Sequence, residues 1–273
     1  MVENLVFNFK NQIPIHYRFK PASRDCRHLL IVMSGFNIPD ATIYDFIMLD
    51  HCHSAILWIK DDFAGLPAYY LCNNMNFDIE QGVSLLIQGV IDFVKPTNTT
   101  ILGASKGGSM SMYYGIKLNI RNIITAVPQF YIGSYVAKGY WTQVGQQMMG
   151  TISPENISRL DNLLRDVIYK DKCKTANIYL FTSPNDKQFP VEIVPNLELL
   201  QEYNYFNLVE TNSSFATEHN QITRYNLNVI LSIIYQLENN ITPAYGRVKM
   251  EMGGKSAVSF LSFYLSLLFE THP

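Results

Sequence analysis

The sequence predicts an α/β fold, in which an open and mostly parallel sheet is flanked by helices. Two observations predict it. The first is a set of continuous apolar runs, such as LLIVM at 29–33 and AILWI at 55–59, which are typical of strands buried on both faces. The second is that strand-like segments alternate with segments of helical spacing, as βαβ crossovers require. The length of 273 residues fits one such domain with insertions.

The first half of the chain follows this alternation. LVFNF and IPIHYRF alternate apolar and polar residues around KNQ, which predicts an N-terminal β-hairpin. After the two buried strands, residues 78–94 have helical spacing, with acidic residues in the first turn and Pro96 beyond the end. TTILG, which ends at Gly103, is a predicted strand. A helix over 106–118 and a strand over 122–127 are predicted to follow it.

The second half of the chain contains an interruption. Residues 131–174 do not continue the alternation, although Ser153-Pro154-Glu155 is a good helix start, and we expect a helical lid over the strand ends. Strands and helices then resume at 177–182, 196–203, 206–210 and 221–237. The predicted domain therefore covers 1–238, with 239–273 as a C-terminal tail.

The tail contains the apolar run AVSFLSFYLSLLF at 257–269, which predicts a helix. We expect it to pack on the body of the protein, on a protein partner or on a second copy of the chain. A helix at a membrane interface is the alternative. The run is shorter than the ~18 residues of a membrane span, so no transmembrane segment is predicted.

Composition and charge exclude several classes of function. With a net charge of −2 and no long basic block, the chain is not expected to bind nucleic acid. The N-terminus lacks the basic and then apolar pattern of a signal peptide, and the four cysteines form no CxxC pair, so a cytoplasmic protein is expected. DHCHS at 50–54 could suggest a metal site, but no second ligand cluster accompanies it and no metal is predicted.

GASKG at 103–107 carries the predicted chemistry. Gly-x-Ser-x-Gly between a strand and a helix is the nucleophile elbow, a sharp turn that lifts the serine hydroxyl, here of Ser105, out of the sheet. A phosphate-binding loop is excluded here, because Lys106 precedes the glycine pair instead of following it. The later GGKS at 253–256 has Lys249 where that loop needs its first glycine.

A serine nucleophile needs a base, and the base needs an orienting acid. After an elbow, these residues follow in the order serine, acid, histidine. His219 lies in a polar loop before the last strong helix, whereas His272 is the penultimate residue, so His219 is the predicted base. Asp186, in the loop after a predicted strand, is the predicted acid, with Glu210 and Glu218 as weaker alternatives.

The oxyanion hole is expected to combine two backbone amides. One is the N–H of Lys106, directly after the nucleophile. The second belongs to the loop after the strand at 29–33, where SGF offers the N–H of Gly35 or of Phe36. The ammonium group of Lys106 is expected to be solvated, and the alternatives are that it attracts an anionic substrate or neutralises a nearby carboxylate.

TILGASKGGSMSMYYGIKL followed by NIITAVPQFYIGSYV resembles a group of bacterial α/β-hydrolase-like proteins of capsule and surface-glycan assembly. The group includes capsule O-acetyltransferases of the meningococcal serogroup A type, the XcbB/CpsF capsule family and the acetyltransferase of the accessory Sec system. The shared features are the GxSKGG elbow, Pro128-Gln129 after the next strand, Asp186, and His219-Asn220 near the end. The resemblance covers roughly residues 28–237.

The resemblance implies an α/β-hydrolase fold and acyl transfer, with acetyl-CoA as acyl donor and a polysaccharide or other glycan as acceptor. It implies that Ser105 is acetylated first, that His219 acts as base and then as acid, and that Asp186 orients His219. No bound cofactor is expected. Two alternatives stay open: a carboxylesterase or deacetylase with the same triad, and a non-catalytic scaffold of a glycan synthesis or export complex.

Overall fold

The computed structural model describes residues 4–10, 12–36 and 44–252. The strands are β1 (Asn4–Phe9), β2 (Ile13–Lys20), β3 (His28–Met33), β4 (Ala55–Ile59), β5 (Asn98–Ala104), β6 (Asn122–Ala126), β7 (Asn177–Thr182), β8 (Tyr205–Ser213) and β9 (Arg247–Met252). The α-helices are α1 (Asp78–Val94), α2 (Lys106–Lys117), α3 (Ile132–Val136), α4 (Thr142–Met149), α5 (Pro154–Lys170), α6 (Leu197–Gln201), α7 (His219–Tyr225) and α8 (Leu227–Glu238). Within the described ranges, no helix combines the length and the apolar character needed to cross a membrane.

All nine strands of the described residues belong to one sheet, in the order β1-β2-β4-β3-β5-β6-β7-β8-β9. The pairs from β4 through β9 are parallel. The hairpin of β1 and β2 adds to one edge, where β2 runs antiparallel to β4. The α/β class and the mostly parallel sheet predicted from the sequence are confirmed.

The sheet is buried on both faces, which explains the continuous apolar runs. Successive side chains of a strand point to opposite faces. Leu29 and Ile31 of β3 therefore join the core beneath α1, α2 and α5, whereas Leu30 and Val32 join the core beneath α8. Because helices cover both faces, side chains on both faces of a central strand are buried, and most of them are apolar.

The strand order brings two functional loops together. The chain runs from β3 outward to β4 and then returns past β3 to β5, so the order reverses between β3 and β5. In open α/β sheets, ligands bind outside the carboxyl ends of the strands at such a reversal. Met33 at the end of β3 pairs with Gly103 near the end of β5. The loop after β3 and the turn after β5 therefore lie side by side.

The single helix predicted over 221–237 is two helices, α7 and α8, separated at Asn226. The side chain of Asn226 is buried, and its amide donates to Thr211 Oγ1 at 2.8 Å and to the carbonyl of Ile222 at 2.8 Å. These hydrogen bonds tie the break to β8. The apolar spacing continues through both helices, so the sequence pattern does not reveal the break.

The sheet continues past the predicted domain boundary at 238. Arg247–Met252 forms β9, which pairs in parallel with β8, so this part of the predicted tail belongs to the sheet. RVKMEM alternates polar and apolar residues, as an edge strand with one covered face does. The predicted apolar helix at 257–269 lies outside the described residues.

The segment predicted to form a lid, 131–174, contains helices of two kinds. α5 buries Leu160 and Leu164 in the main core beside α2, as a crossover helix of the sheet does. The earlier part of the segment contributes Tyr135 and Trp141 to the cavity above Ser105. Movement of this earlier part as a lid stays a prediction.

Candidate active site

Ser105 lies in the turn between β5 and α2 and has a strained backbone. Its φ is 54° and its ψ is −123°, a combination that residues other than glycine rarely adopt. The N–H of Ser105 donates to the carbonyl of Ala126 in the neighbouring strand at 2.8 Å, which helps to hold the turn. A strained serine between a strand and a helix is the geometry of a nucleophile elbow.

Two glycines of GASKG are required because backbones approach each other closely. A Cβ atom at Gly103 would lie 2.1 Å from the carbonyl oxygen of Gly107. A Cβ atom at Gly107 would lie 2.2 Å from the carbonyl oxygen of Met33. These neighbours are backbone atoms of the core, so they cannot move aside as the end of a flexible side chain can. A larger residue at either position would displace α2 and with it the turn at Ser105.

The structure brings Ser105, His219 and Asp186 into one hydrogen-bonded chain. Ser105 Oγ lies 3.0 Å from His219 Nε2, and His219 Nδ1 lies 2.7 Å from Asp186 Oδ2. Because an ionised carboxylate accepts but does not donate, His219 donates through Nδ1. The lone pair of Nε2 then faces the serine hydroxyl, as a general base requires.

Local structure holds the acid and the base in place. Asp186 is 4% exposed, and its second oxygen, Oδ1, accepts from the backbone N–H of Gln188 at 2.9 Å. His219 is the first residue of α7, which begins with a capping box formed by Glu218 and Gln221. The cap fixes the start of the helix and therefore the origin of the imidazole side chain.

The two alternative acids are engaged in other contacts. The carboxylate of Glu218 caps the N-terminus of α7, and Glu210 Oε2 accepts from Nε of Arg247 in β9 at 2.7 Å. Among the described residues, Asp186 is the acid within hydrogen-bond distance of His219. The residues that contact one another at the site therefore follow along the chain in the expected order of serine, acid and histidine.

The structure distinguishes between the predicted oxyanion donors. The N–H of Lys106 lies in the first turn of α2, where amides have no helical partner. The N–H of Gly35 instead donates to Asp45 Oδ2 at 3.2 Å, which engages this amide in the present conformation. Gly35 is therefore disfavoured as a donor, and Lys106 and Phe36 are the candidates that the geometry leaves. Burial raises the pKa of the Asp45 carboxyl, and the N–H of Gly35 is among the groups that lower it.

The side chain of Lys106 is buried, which corrects the expectation of a solvated ammonium group. It is 1% exposed, and its Nζ lies 2.6 Å from Asp61 Oδ2. The ring centre of Tyr70 lies 4.6 Å from Nζ, and that of Phe36 lies 5.5 Å away. Desolvation lowers the pKa of Lys106, and the Asp61 carboxylate opposes this shift. Because it already has a buried counter-ion, this ammonium group is not available to an anionic substrate.

Gln129 is a residue at the site to which the sequence analysis assigned no role. It lies just after β6 and is fully buried, and its Nε2 donates to Ser105 Oγ at 2.9 Å. A second bond from the same nitrogen reaches Gln188 Oε1 at 3.1 Å. The sequence contains a signal that could have identified Gln129. It follows β6, the parallel neighbour of β5, and the carboxyl ends of neighbouring parallel strands meet at one edge of the sheet, where Ser105 lies.

A cavity of about 410 Å³ opens above Ser105 and His219. Its wall includes the rings of Phe36 and Trp141, which stack with their centroids 4.0 Å apart. Arg224 in α7 places a positive charge on the same cavity. A cavity of this size, with apolar walls and a few polar groups, is typical of a small-molecule site.

Residues 50–54, which raised the question of a metal, show other contacts. His53 Nδ1 lies 3.0 Å from Ser23 Oγ. In the part of the chain that the structure describes, no group of three or more His, Cys, Asp or Glu side chains is arranged to hold a metal ion.

No family model and no curated protein matches the sequence. Solved structures do resemble it. A chain of the glycosylation-associated Gap123 complex from Streptococcus agalactiae has a TM-score of 0.72 and 16% identity over 89% of this chain. The match spans 47% of that chain, about half of its length.

Two further structures match over nearly their whole length. The capsule O-acetyltransferase of Neisseria meningitidis serogroup A, in complex with CoA, has a TM-score of 0.55 and 18% identity, over 96% of both chains. The S-formylglutathione hydrolase of Staphylococcus aureus has a TM-score of 0.61 and 10% identity, over 87% of this chain and 98% of that one. The capsule and glycosylation proteins fit the resemblance seen in the sequence. At these identities the comparisons establish the fold. The chain has the α/β-hydrolase fold.

Proposed function

We propose that this protein is a serine acyltransferase that moves an acetyl group from acetyl-CoA to a hydroxyl of a bacterial capsular or surface polysaccharide. The observation that carries the proposal is the chain of hydrogen bonds from Ser105 Oγ through His219 to Asp186. Ser105 is the nucleophile, His219 the general base and acid, and Asp186 the group that orients His219.

The first half-reaction acylates the serine. Ser105 Oγ attacks the thioester carbonyl while its proton passes to His219 Nε2, which lies 3.0 Å away. The N–H groups of Lys106 and Phe36 donate to the oxyanion of the tetrahedral intermediate. The carbon–sulfur bond then breaks, and the thiol leaves with the proton from His219. The product is an acyl-serine ester at Ser105.

The second half-reaction transfers the acyl group. A sugar hydroxyl gives its proton to His219 Nε2 as its oxygen attacks the ester carbonyl. Collapse of the intermediate breaks the bond to Ser105 Oγ, which recovers the proton from His219. The apolar part of the cavity wall, which includes Phe36 and Trp141, suits the apolar face of a sugar ring.

The choice of donor and acceptor is supported by two of the similar structures. The meningococcal enzyme is a capsule O-acetyltransferase and is bound to CoA, and the streptococcal complex is associated with glycosylation. A carboxylesterase or deacetylase is the second candidate, favoured by the likeness to the S-formylglutathione hydrolase. The same three residues would then pass the acyl group to water.

A fluorophosphonate probe and a transfer assay test the proposal together. The probe is expected to label the full chain, and Ser105→Ala is expected to abolish labelling because the reacting oxygen is gone. Ser111→Ala, at a buried serine of α2 whose hydroxyl donates to the carbonyl of Gly108 at 2.9 Å, is the control for loss of a hydroxyl and is expected to be labelled. Absence of labelling in folded protein would favour the non-catalytic scaffold.

The acyl acceptor is tested with acetyl-CoA and capsule fragments. Release of CoA that depends on the added polysaccharide, with acetylated fragments found by mass spectrometry, is the result expected of a transferase. Release of CoA and acetate at the same rate without polysaccharide would assign the protein to the esterases instead.

A further inference from the structure

We propose that Gln129 is a positioning residue for Ser105. Gln129 donates a hydrogen bond to the serine oxygen and thereby directs the serine's own proton to His219. The proposal rests on the proposed function, since it takes Ser105 as the nucleophile. It adds a residue outside the serine, histidine and aspartate set.

The hydrogen bonds around Ser105 Oγ can be counted. A serine hydroxyl has one proton to donate and two lone pairs to accept with. Gln129 Nε2 lies 2.9 Å from Ser105 Oγ, and an amide nitrogen only donates, so this bond occupies a lone pair of the serine. The one proton of Ser105 is left for His219 Nε2 at 3.0 Å. The direction of proton transfer is therefore set before a substrate binds.

Gln188 fixes which end of the Gln129 amide faces the serine. Gln129 Nε2 also donates to Gln188 Oε1 at 3.1 Å. If the amide were turned over, its oxygen would face Gln188 Oε1, and two acceptors would be opposed. The turned amide would also accept the serine proton that His219 needs. Burial raises the pKa of Tyr135, and the side chain of Gln188 is among the groups that lower it.

The oxygen of the Gln129 amide faces groups that can donate, at distances longer than a normal hydrogen bond, and the backbone of Gln129 is held by a shorter one. Its Oε1 faces the hydroxyls of Tyr69 and Ser109, each at 3.5 Å, and its backbone N–H donates to Ser109 Oγ at 2.8 Å. Gln129 and Tyr69 are fully buried, so water does not compete for these groups. Gln129 Nε2 is also 3.5 Å from His219 Nε2, longer than a normal hydrogen bond, so the amide leaves that lone pair to Ser105.

The same donor acts as the reaction proceeds. When Ser105 gives up its proton, negative charge develops on Oγ, and a hydrogen bond to a charged oxygen is stronger than one to a neutral oxygen. Loss of such a bond corresponds to a rate decrease of about 10- to 100-fold.

The test measures the rate at which a fluorophosphonate labels the full chain. In this reaction the bond from Ser105 Oγ to phosphorus forms, the bond from phosphorus to fluorine breaks, the serine proton goes to His219, and fluoride leaves. No acyl donor or acceptor takes part. Gln129→Ala is expected to be labelled about 10- to 100-fold more slowly than the native protein, because the donor is lost.

Gln129→Glu separates positioning from packing. This variant keeps the shape of the side chain but presents a carboxylate, which accepts the serine proton in competition with His219. It is expected to be labelled more slowly than Gln129→Ala at neutral pH. Its rate relative to the native protein is expected to rise as the pH falls, because the introduced carboxyl group can donate to Ser105 once it is protonated. Gln129→Met keeps most of the bulk but has no donor, and it is expected to be slowed like Gln129→Ala, whereas a residue that only fills space would be replaced by methionine without loss of rate.

Gln188→Ala and Gln147→Ala complete the set. Gln188→Ala leaves the Gln129 amide free to turn over and is expected to slow labelling several-fold. Gln147 donates its side-chain amide to the carbonyl of Phe63, away from Ser105, and Gln147→Ala is expected to be labelled at the native rate. Circular dichroism and the midpoint of thermal unfolding show whether each variant is folded.

The outcomes distinguish the two proposals. A native protein that the probe does not label would overturn the proposed function and this inference with it. A labelled native protein together with a folded Gln129→Glu variant labelled at the native rate would overturn this inference alone. If the Gln129 variants do not fold, a Gln188→Ala variant labelled at the native rate would overturn the inference about Gln129 alone.

Discussion

At the scale of single residues, the buried pair of Lys106 and Asp61 shows how a side chain next to the nucleophile serves the fold. Nζ and Oδ2 are 2.6 Å apart, and both side chains are 1% exposed. Asp61 Oδ1 also accepts from the backbone N–H groups of Ala68 and Tyr70, each at 3.0 Å. The pair therefore joins the start of α2, where the candidate oxyanion donor Lys106 lies, to the loop after β4.

Removing one member of this pair is expected to destabilise the protein strongly. Asp61→Asn leaves the ammonium group of Lys106 buried without a counter-ion, which costs about 3–5 kcal/mol of the free energy of unfolding. The double variant Asp61→Asn with Lys106→Met removes the charge as well and is expected to recover part of that loss. Urea denaturation of both variants measures the difference. Equal stability of the Asp61→Asn variant and the native protein would contradict the structural role of the pair.

At the scale of elements, the elbow depends on α2 lying close against β3 and β5. Gly107→Ala places a Cβ atom 2.2 Å from the carbonyl oxygen of Met33, so the helix must shift. Overpacking of this kind costs about 1–3 kcal/mol or more. It also moves the amide of Lys106 and the turn at Ser105. We expect both a lower free energy of unfolding and a loss of fluorophosphonate labelling.

Gly89→Ala is the matched control for that substitution. Gly89 lies in α1, and a Cβ atom there would have no neighbour within 4 Å. Alanine in the interior of a helix is favoured over glycine by about 0.5–1 kcal/mol, so this variant is expected to be slightly more stable and to be labelled normally. If Gly107→Ala behaved like Gly89→Ala, the close approach of α2 and β3 would not be required.

At the scale of the whole molecule, a buried histidine at the opposite end of the sheet links stability to pH. His28 is 1% exposed, and its ring lies between Ser54 Oγ and Thr100 Oγ1, both at 2.8 Å. Ser54 Oγ donates its one proton to Glu238 Oε1 at 2.9 Å, so it accepts from His28 Nδ1. Nε2 then accepts from Thr100. The neutral imidazole can make both of these hydrogen bonds. A protonated ring has no lone pair on Nε2 and could not accept from Thr100.

Acid is therefore expected to destabilise the folded protein through His28. Desolvation lowers the pKa of His28 from 6.5 to about 4. The unfolded chain takes up this proton below pH 6.5, whereas the folded protein takes it up only near pH 4. The stabilising contribution is complete above pH 6.5 and decreases by about 3 kcal/mol as the pH falls to 4.

The variant His28→Gln isolates this contribution, because glutamine has no charge at any of these pH values. It is expected to be less stable than the native protein at pH 7, since its amide cannot reproduce both ring contacts. The difference in free energy of unfolding between the two proteins is expected to shrink between pH 6.5 and 4. A difference that stays constant over this range, measured by urea denaturation, would argue against a neutral buried His28.

Much of the fold could be predicted because the patterns that specify it are local. The buried strands at 29–33 and 55–59 are continuous apolar runs, and GASKG can adopt its turn because Gly103 and Gly107 have no side chains. The break at Asn226 could not be predicted, because it depends on hydrogen bonds to Thr211 in another element. β9 is a short alternating segment whose place in the sheet depends on β8, far away in the chain.

The sequence by itself determined the α/β class, the elbow and the three side chains that could form a serine site, because composition, spacing and chain order are properties of the chain. The tertiary structure decided which backbone amides and buried side chains surround Ser105. It engages the N–H of Gly35 with Asp45, buries the ammonium group of Lys106 against Asp61 and brings Gln129 to Ser105 Oγ. These contacts join residues from separate loops and strands, and a contact between distant parts of a chain exists only once packing has brought their polar atoms within about 3 Å.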